Sequence, residues 1–187
     1  MPELVPDPKL ELSVDAVFGY AMAAYYGGRA ECRVREVPVP VAYCDFRSMY
    51  PSVNTLMGLW RFLTAQRLEV VDATAWAQNF LARTTADDCF RRATWEQLAA
   101  LVEVEPDGEL LPVRAPYSAE QAGYTIGVNP LRATEQVETI WYTLADCLAA
   151  KIATGRAPRV RRALRFVPKG RQRGLHPVDL RGQVTVD

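Results

Sequence analysis

The stretch YYGGRAECRVREVPVPVAYCDFRSMYPSV, residues 25–53, combines a double glycine, two short apolar runs and one aspartate before a sharp turn. Upstream of it, apolar residues recur at helical spacing from a Ser13 cap to Tyr25. Gly27 and Gly28 follow directly and would end such a helix. We therefore expect the glycines to lie at a corner between a helix and a strand.

Alternating apolar residues within the stretch predict two strands, over residues 30–34 and 39–46. Proline is tolerated in the first turn of a helix, so Pro51 predicts a short helix over residues 50–57. Asp45 is then expected at the end of a strand, directly before a tight turn. A carboxylate in that position can hold a divalent cation, and the backbone N–H groups of the turn can hold a polyphosphate.

The rest of the chain contains both strand and helix patterns, which predict an α+β fold. The turn sequence PDG predicts a β-hairpin between residues 101–105 and 109–114. Residues 137–152 have the longest helical periodicity and should form the central core helix. Further strands are expected over residues 67–71, 124–128, 160–167 and 183–186, and further helices over residues 74–83 and after a capping box of Thr94 and Gln97.

The composition is that of a globular protein. At 187 residues, with 49% hydrophobic and 24% charged residues, the chain suits one domain or one large lobe. We find no secretory leader and no apolar run of roughly 18 residues that could cross a membrane, and expect a cytoplasmic protein. The spacing of Cys32, Cys44, Cys89 and Cys147, with His176 as the single histidine, indicates neither a zinc site nor a disulfide framework.

Charge is divided along the chain, although the net charge is zero. Residues 151–187 hold ten Lys or Arg against two Asp, so residues 1–150 are acidic to the same extent. Such a division is typical of a protein that binds a polyanion on one side. The alternative is that the basic segment neutralises the acidic remainder of the fold.

The sequence DFRSMYPSV resembles motif A of the family B DNA polymerases, which is commonly written DxxSLYPS. Met49 replaces the leucine of that pattern, and the matching residues are Asp45, Ser48, Tyr50, Pro51 and Ser52. The resemblance implies roles for five residues. Asp45 would bind Mg²⁺ and Phe46 would lend its carbonyl to a metal, while Ser48 and Met49 would contact the incoming triphosphate and Tyr50 would exclude a ribose 2′-hydroxyl. The implied chemistry is two-metal phosphoryl transfer.

A second stretch, YYGG, is similar to the YxGG signature that joins the exonuclease and polymerase regions of the same family and touches template DNA. Tyr25, Gly27 and Gly28 match it, and they precede the motif A residues in the family's order. Glycine lets a nucleic-acid backbone come close, and a tyrosine can stack on a base. We expect these three residues to contact DNA.

The chain also departs from the family pattern. It lacks KxxxNSxYG, whose lysine grips phosphate, and YxDTDS, whose aspartate completes the metal pair. Glu103 and Glu105 before the PDG turn do not replace that aspartate, and we interpret them as a solvated hairpin face. The residues before Tyr25 are too few for a 3′-5′ exonuclease domain. We therefore expect the chain alone to be inactive as a polymerase.

The basic end offers further candidates for DNA contact. Alternation from residue 160 places arginines on a shared face, which suits a strand and loop that follow phosphates. The residues that we expect to contact DNA are Arg161, Arg162, Lys169 and Arg171. The competing interpretation is a strand edge that charge protects from aggregation.

Together these patterns predict an α+β protein that resembles part of a polymerase palm. Residues 1–58 would form the YxGG linker and early palm segment, and residues 59–187 an insertion-like α+β region, as is common in protein-primed polymerases. The expected ligands are a DNA primer-template, a deoxynucleoside triphosphate and Mg²⁺, with a separate chain as the source of the missing motifs. The alternatives are a noncatalytic nucleic-acid-binding module derived from a palm, and an interaction domain whose motif match is accidental.

Overall fold

The computed structural model of the protein describes residues 2–28, 34, 36–118 and 121–175, and the side chains of all of these except residues 115–118 and 121–125. It confirms an α+β fold. Five strands form one mixed sheet in the order β1-β2-β7-β3-β6, and β4 and β5 form a separate two-stranded hairpin. The strands are β1 (Glu3–Pro6), β2 (Arg67–Asp72), β3 (Ala100–Glu105), β4 (Asp107–Ser118), β5 (Gln121–Arg132), β6 (Ile140–Thr143) and β7 (Arg159–Lys169).

The helices lie between the strands in the sequence. They are α1 (Val14–Ala23), α2 (Met49–Leu56), α3 (Trp60–Thr64), α4 (Thr74–Arg83), α5 (Arg92–Trp95) and α6 (Leu144–Thr154). The Ser13 hydroxyl accepts from the N–H of Ala16 and caps α1, as expected. Gly155, with φ 75°, ends α6 in the left-handed conformation that glycine adopts without strain.

The sheet is antiparallel except at one edge, where β1 lies parallel to β2. Strand β7 pairs with β2 on one side and with β3 on the other, and β3 pairs with β6. Two of the longer helices connect strands that a third strand separates: α4 runs between β2 and β3, and α6 between β6 and β7. As a result, strands that are distant in the sequence are neighbours in the sheet.

Apolar side chains cover both faces of the sheet because successive strand residues point to opposite sides. On one face, Val102 and Tyr142 pack with Phe80 of α4 and Leu148 of α6. On the other face, a smaller cluster forms around α1. Its buried members are Val17, Ala24, Val70, Leu101, Trp141 and Leu164. Strand β1 and α1, from the first predicted segment, thus share a sheet and a core with strands of the second.

Several predicted elements are confirmed, including β2, α4, β7 and the short α2. The predicted strand over residues 39–46 is wrong, because residues 38–46 form neither strand nor helix. The predicted hairpin is also wrong, since β3 pairs with β6 and β7, and β4 pairs with β5. Residues 137–152 contain β6 before α6 rather than a single helix. The predicted strands over residues 30–34 and 183–186 fall largely or wholly outside the described residues.

The longest helix in the described ranges, α6, has 11 residues, and no helix there is long and apolar enough to cross a membrane.

Candidate functional site

The motif A segment is the most exposed part of the structure. Residues 36–52 are all exposed, and they include Asp45, with Tyr50 72% exposed. Asp45 does not lie at the end of a strand, because the segment before it is irregular. The Asp45 carboxylate is not buried among apolar side chains. Within the described residues it has no hydrogen-bond or salt-bridge partner. It is therefore available to a ligand.

A tight turn after Asp45 leads into α2, as the sequence predicts. Ser48 adopts the left-handed conformation, φ 55° and ψ 37°, immediately before the helix. The Met49 N–H donates to the Phe46 carbonyl at 3.2 Å, and the Ser52 N–H donates to the Ser48 carbonyl at 3.0 Å. Left-handed backbone is uncommon for a residue other than glycine, so this turn is locally strained. The Phe46 carbonyl, which is predicted to bind a metal, thus accepts a hydrogen bond from Met49, which is predicted to contact the triphosphate.

Asp45 is the only acidic residue of the predicted site, residues 45–50. Mg²⁺ is bound by carboxylates together with substrate phosphates and water. Asp45 supplies one carboxylate, and among the described residues no group of three or more His, Cys, Asp or Glu could hold a metal. A metal at Asp45 would complete its coordination with substrate phosphates, water or a further acid.

The YYGG segment wraps around an edge strand of the sheet. Tyr20, on α1, stacks on Trp141 with ring centroids 4.3 Å apart. Six residues later, Tyr26 stacks on Tyr142 at 5.1 Å, on the opposite face. Since Trp141 and Tyr142 are consecutive in β6, the chain crosses from one face of the sheet to the other beside this strand. This crossing covers an edge that would otherwise expose unpaired backbone groups.

The double glycine follows this crossing. Gly27 has φ 72°, a conformation that favours glycine, and a Cβ atom there would meet no heavy atom within 4 Å. Tyr25 is 68% exposed, whereas the ring of Tyr26 is packed. Tyr25, Gly27 and Gly28 therefore lie at the surface, as a DNA-contacting role requires. In the described residues, no hydrogen bond or ring contact joins them to residues 45–50.

Two residues that sequence reasoning did not identify hold this segment in place. Arg114 of β4 has its guanidinium 4.6 Å from the centroid of the Tyr26 ring, and it donates to the carbonyls of Tyr25 and Met22. Tyr26 occupies the variable position of the YxGG pattern, which gives no signal of its packing role. Arg114 is distant in the sequence and matches no motif.

The stacking partner of Tyr26 is itself fixed. Tyr142 is fully buried, and its hydroxyl donates to the Pro112 carbonyl of β4 at 2.9 Å. Burial, together with the neighbouring Tyr26, raises the pKa of the Tyr142 hydroxyl well above its usual range. The hydroxyl therefore stays protonated and remains a hydrogen-bond donor at any physiological pH.

The predicted basic contacts are largely occupied within the protein. Arg161 forms ion pairs with Glu105 and Glu138, and Lys169 forms one with Glu69. Arg162 is half-buried and donates to the Leu10 carbonyl at 3.4 Å. Arg171 is exposed and has a partner of its own. These contacts favour the alternative in which the basic segment neutralises acidic neighbours, and a DNA contact of the four residues stays a prediction.

The acidic residues around the PDG turn also have structural partners. Glu103 accepts from the Thr139 hydroxyl at 2.8 Å, Glu105 pairs with Arg159 as well as Arg161, and Asp107 pairs with Arg132 at 3.2 Å. They belong to the sheet and to the base of the β4–β5 hairpin. Their interactions account for them without a metal.

Comparisons with protein-family models, with curated proteins and with solved structures found no match to this chain.

Proposed function

We propose that this chain is part of a family B-like DNA-directed DNA polymerase. In this proposal the surface around Tyr25, Gly27 and Gly28 contacts primer-template DNA, and residues 45–50 contact the incoming deoxynucleoside triphosphate. Template-directed transfer would require a further polypeptide segment that supplies the second acid and the phosphate-gripping lysine.

One observation carries the proposal: both matched motifs lie on exposed segments. Asp45 is exposed and unpaired within the described residues, and α2 starts four residues later. Tyr25 is exposed beside Tyr26, which is packed against Tyr142. At Tyr25 an exposed side chain therefore lies next to an anchored one, as binding a large ligand requires.

Each residue would contribute binding rather than chemistry in this chain. The exposed Tyr25 ring can stack on a base, which is worth about 1–3 kcal/mol per base. Tyr50 can pack against a sugar, and Asp45 can provide one ligand of a cation. Bound Mg²⁺, held with a second acid, would supply charge stabilisation at the transferring phosphate.

A binding measurement tests the DNA contact. Fluorescence anisotropy with a labelled primer-template should show Tyr25→Ala weakening the affinity by roughly 5-fold to 150-fold, the loss expected for one stacked base. Tyr43→Ala is the matched control, because Tyr43 is 95% exposed and lies outside both motifs. Equal affinities for the two variants would contradict the proposed DNA contact.

The second candidate is a noncatalytic nucleic-acid-binding module, and it fits the finding that no group of three or more His, Cys, Asp or Glu among the described residues could hold a metal. It differs from the first in the role of Asp45. If the chain belongs to a polymerase, Asp45→Asn should weaken Mg²⁺-dependent binding of a deoxynucleoside triphosphate, measured by equilibrium dialysis. Binding that is absent, or unchanged by the substitution, supports the noncatalytic module. The chain alone should not extend a primer under either candidate, and extension that Asp45→Ala abolishes would contradict this expectation.

A further inference from the structure

The Tyr25–Gly28 turn presents an energetic problem for a DNA contact. Two of its residues are glycines, and Tyr25, Gly27 and Gly28 are all exposed. Glycine loses more conformational freedom on ordering than any other residue. A turn left free would have to be ordered at the moment of binding, which reduces affinity. A contact that orders the turn before DNA binds should therefore raise its affinity for DNA.

Arg114 makes three contacts with this part of the chain. Its guanidinium donates to the Tyr25 carbonyl, donates to the Met22 carbonyl at 3.5 Å, and lies over the Tyr26 ring. Met22 is in the last turn of α1, and its carbonyl also accepts from the Tyr25 N–H at 3.3 Å just beyond the helix. A cation at a helix C-terminus is also favoured by the helix dipole. Arg114 of β4 thus caps the C-terminal end of α1.

The position of Arg114 is set by the base of the hairpin. Leu111, three residues before Arg114 in β4, is fully buried. Pro112, two residues before Arg114, accepts a hydrogen bond on its carbonyl from the Tyr142 hydroxyl. Arg114 itself pairs with Ile126 of β5 in the antiparallel register. The same tyrosine, Tyr142, stacks on Tyr26. The hairpin, the edge strand β6 and the turn are therefore joined by one connected set of contacts.

We infer that Arg114 is a positioning residue, which holds the Tyr25–Gly28 turn so that the exposed Tyr25 can meet DNA. This inference rests on the proposed function for its DNA ligand. It makes the β4–β5 hairpin, which matches no polymerase motif, part of the DNA-binding element. Arginine is required because its planar guanidinium can stack on a ring and donate to two carbonyls at once, which an ammonium group does poorly.

The first test needs no DNA. Hydrogen exchange, followed by NMR, should show the Ala24 and Tyr25 amides exchanging roughly 10-fold faster in Arg114→Met than in the native chain, the factor expected for losing one charged hydrogen bond. These amides donate to the Tyr20 and Met22 carbonyls. The Val102 amide, in the central sheet, should be unaffected. Unchanged exchange at Ala24 and Tyr25 would overturn the inference.

The second test compares DNA affinities. Arg114→Met should weaken primer-template binding about as much as Tyr25→Ala, and Arg114→Lys should restore only part of the affinity. The matched control is Arg132→Met, which removes the same charge from the same hairpin, where Arg132 pairs with Asp107. If Arg114→Met weakens binding no more than Arg132→Met does, the positioning role is wrong.

The two proposals fail in different ways. Weakening by Tyr25→Ala without weakening by Arg114→Met overturns the positioning role and leaves the proposed function standing. If neither substitution changes DNA affinity while exchange at Ala24 and Tyr25 rises, the proposed DNA contact has failed, and Arg114 is a structural cap without a role in binding.

Discussion

Residues 14–63 and residues 64–175 use their large hydrophobic side chains in opposite ways. Of the nineteen that are exposed among the described residues, fifteen lie in the first region and four in the second. The buried core shows the reverse, because only Val17 and Ala24 belong to the first region. The second region supplies most of the buried core, to which α1 adds Val17 on one face of the sheet. The first region carries both matched motifs and leaves most of its large apolar side chains exposed.

Limited proteolysis should show the largest difference between residues 14–63 and residues 64–175. Chymotrypsin should cut first after Tyr43 and Phe46, because both are exposed and no backbone hydrogen bond of the described residues holds positions 38–45. Cleavage beside the buried Phe80 and Tyr142 requires global unfolding, so chymotrypsin should cut those bonds on the order of 10³-fold more slowly. Mass spectrometry of the first fragments measures this. Early cleavage after Phe80 would break the comparison.

Core truncation should separate the regions in stability. Leu164 is fully buried against α1, so Leu164→Ala should lower the free energy of unfolding by about 2–5 kcal/mol. Tyr43→Ala, in the open region, should change it by less than about 0.5 kcal/mol. Urea denaturation of both variants gives the two values. Similar losses would mean that the exposed segment contributes to the core.

The start of α4 should show a smaller, pH-dependent effect within the closed region. Asp72 accepts from the Thr74 hydroxyl and N–H, and these hydrogen bonds, the hydroxyl first, lower the pKa of its carboxyl. A lowered pKa in the folded state stabilises the protein at neutral pH, and this stabilisation is lost as pH falls from about 4 through the folded-state pKa. Because Asp72 is exposed and solvent screens its charge, Asp72→Asn should cost only a few tenths of a kcal/mol at pH 7 and progressively less below pH 4.

Urea denaturation of Asp72→Asn and the native chain at several pH values measures this difference. Thr74→Val removes the same hydroxyl donor and should reduce the pH dependence in the same direction. A difference between Asp72→Asn and the native chain that stays constant down to pH 2 would show that the carboxylate charge has no part in it.

Local signals explain which elements could be predicted from the sequence. Helix α1 has a serine cap and helical spacing, and β7 has apolar alternation, so both were found. The segment before α6 was misinterpreted because Ile140, Trp141 and Leu144 also fit a helical spacing. In the structure, residues 140–143 pair with β3, and the capping box of Thr143 and Asp146 starts the helix. The capping residues are present in the sequence and could have set the boundary.

Contacts between distant residues explain most of what the sequence did not predict. Strand β3 pairs with β7, which lies more than fifty residues further along, so the nearby PDG turn was a misleading guide to its partner. In the candidate site, the exposed Tyr25 and Asp45 were identified from short motifs. Arg114 was not, because the residues it contacts lie 89 and 92 positions away. Motifs locate ligand-facing groups, whereas the residues that support them are set by the fold.

Hydrogen exchange with and without a primer-template tests the central claim, that the exposed turn of residues 25–28 contacts DNA. We predict that added DNA slows exchange around residues 25–28 more than in β7 (Arg159–Lys169), where Arg159, Arg161 and Lys169 already have acidic partners. Protection confined to β7, or no protection at a DNA concentration that saturates binding, would contradict the account.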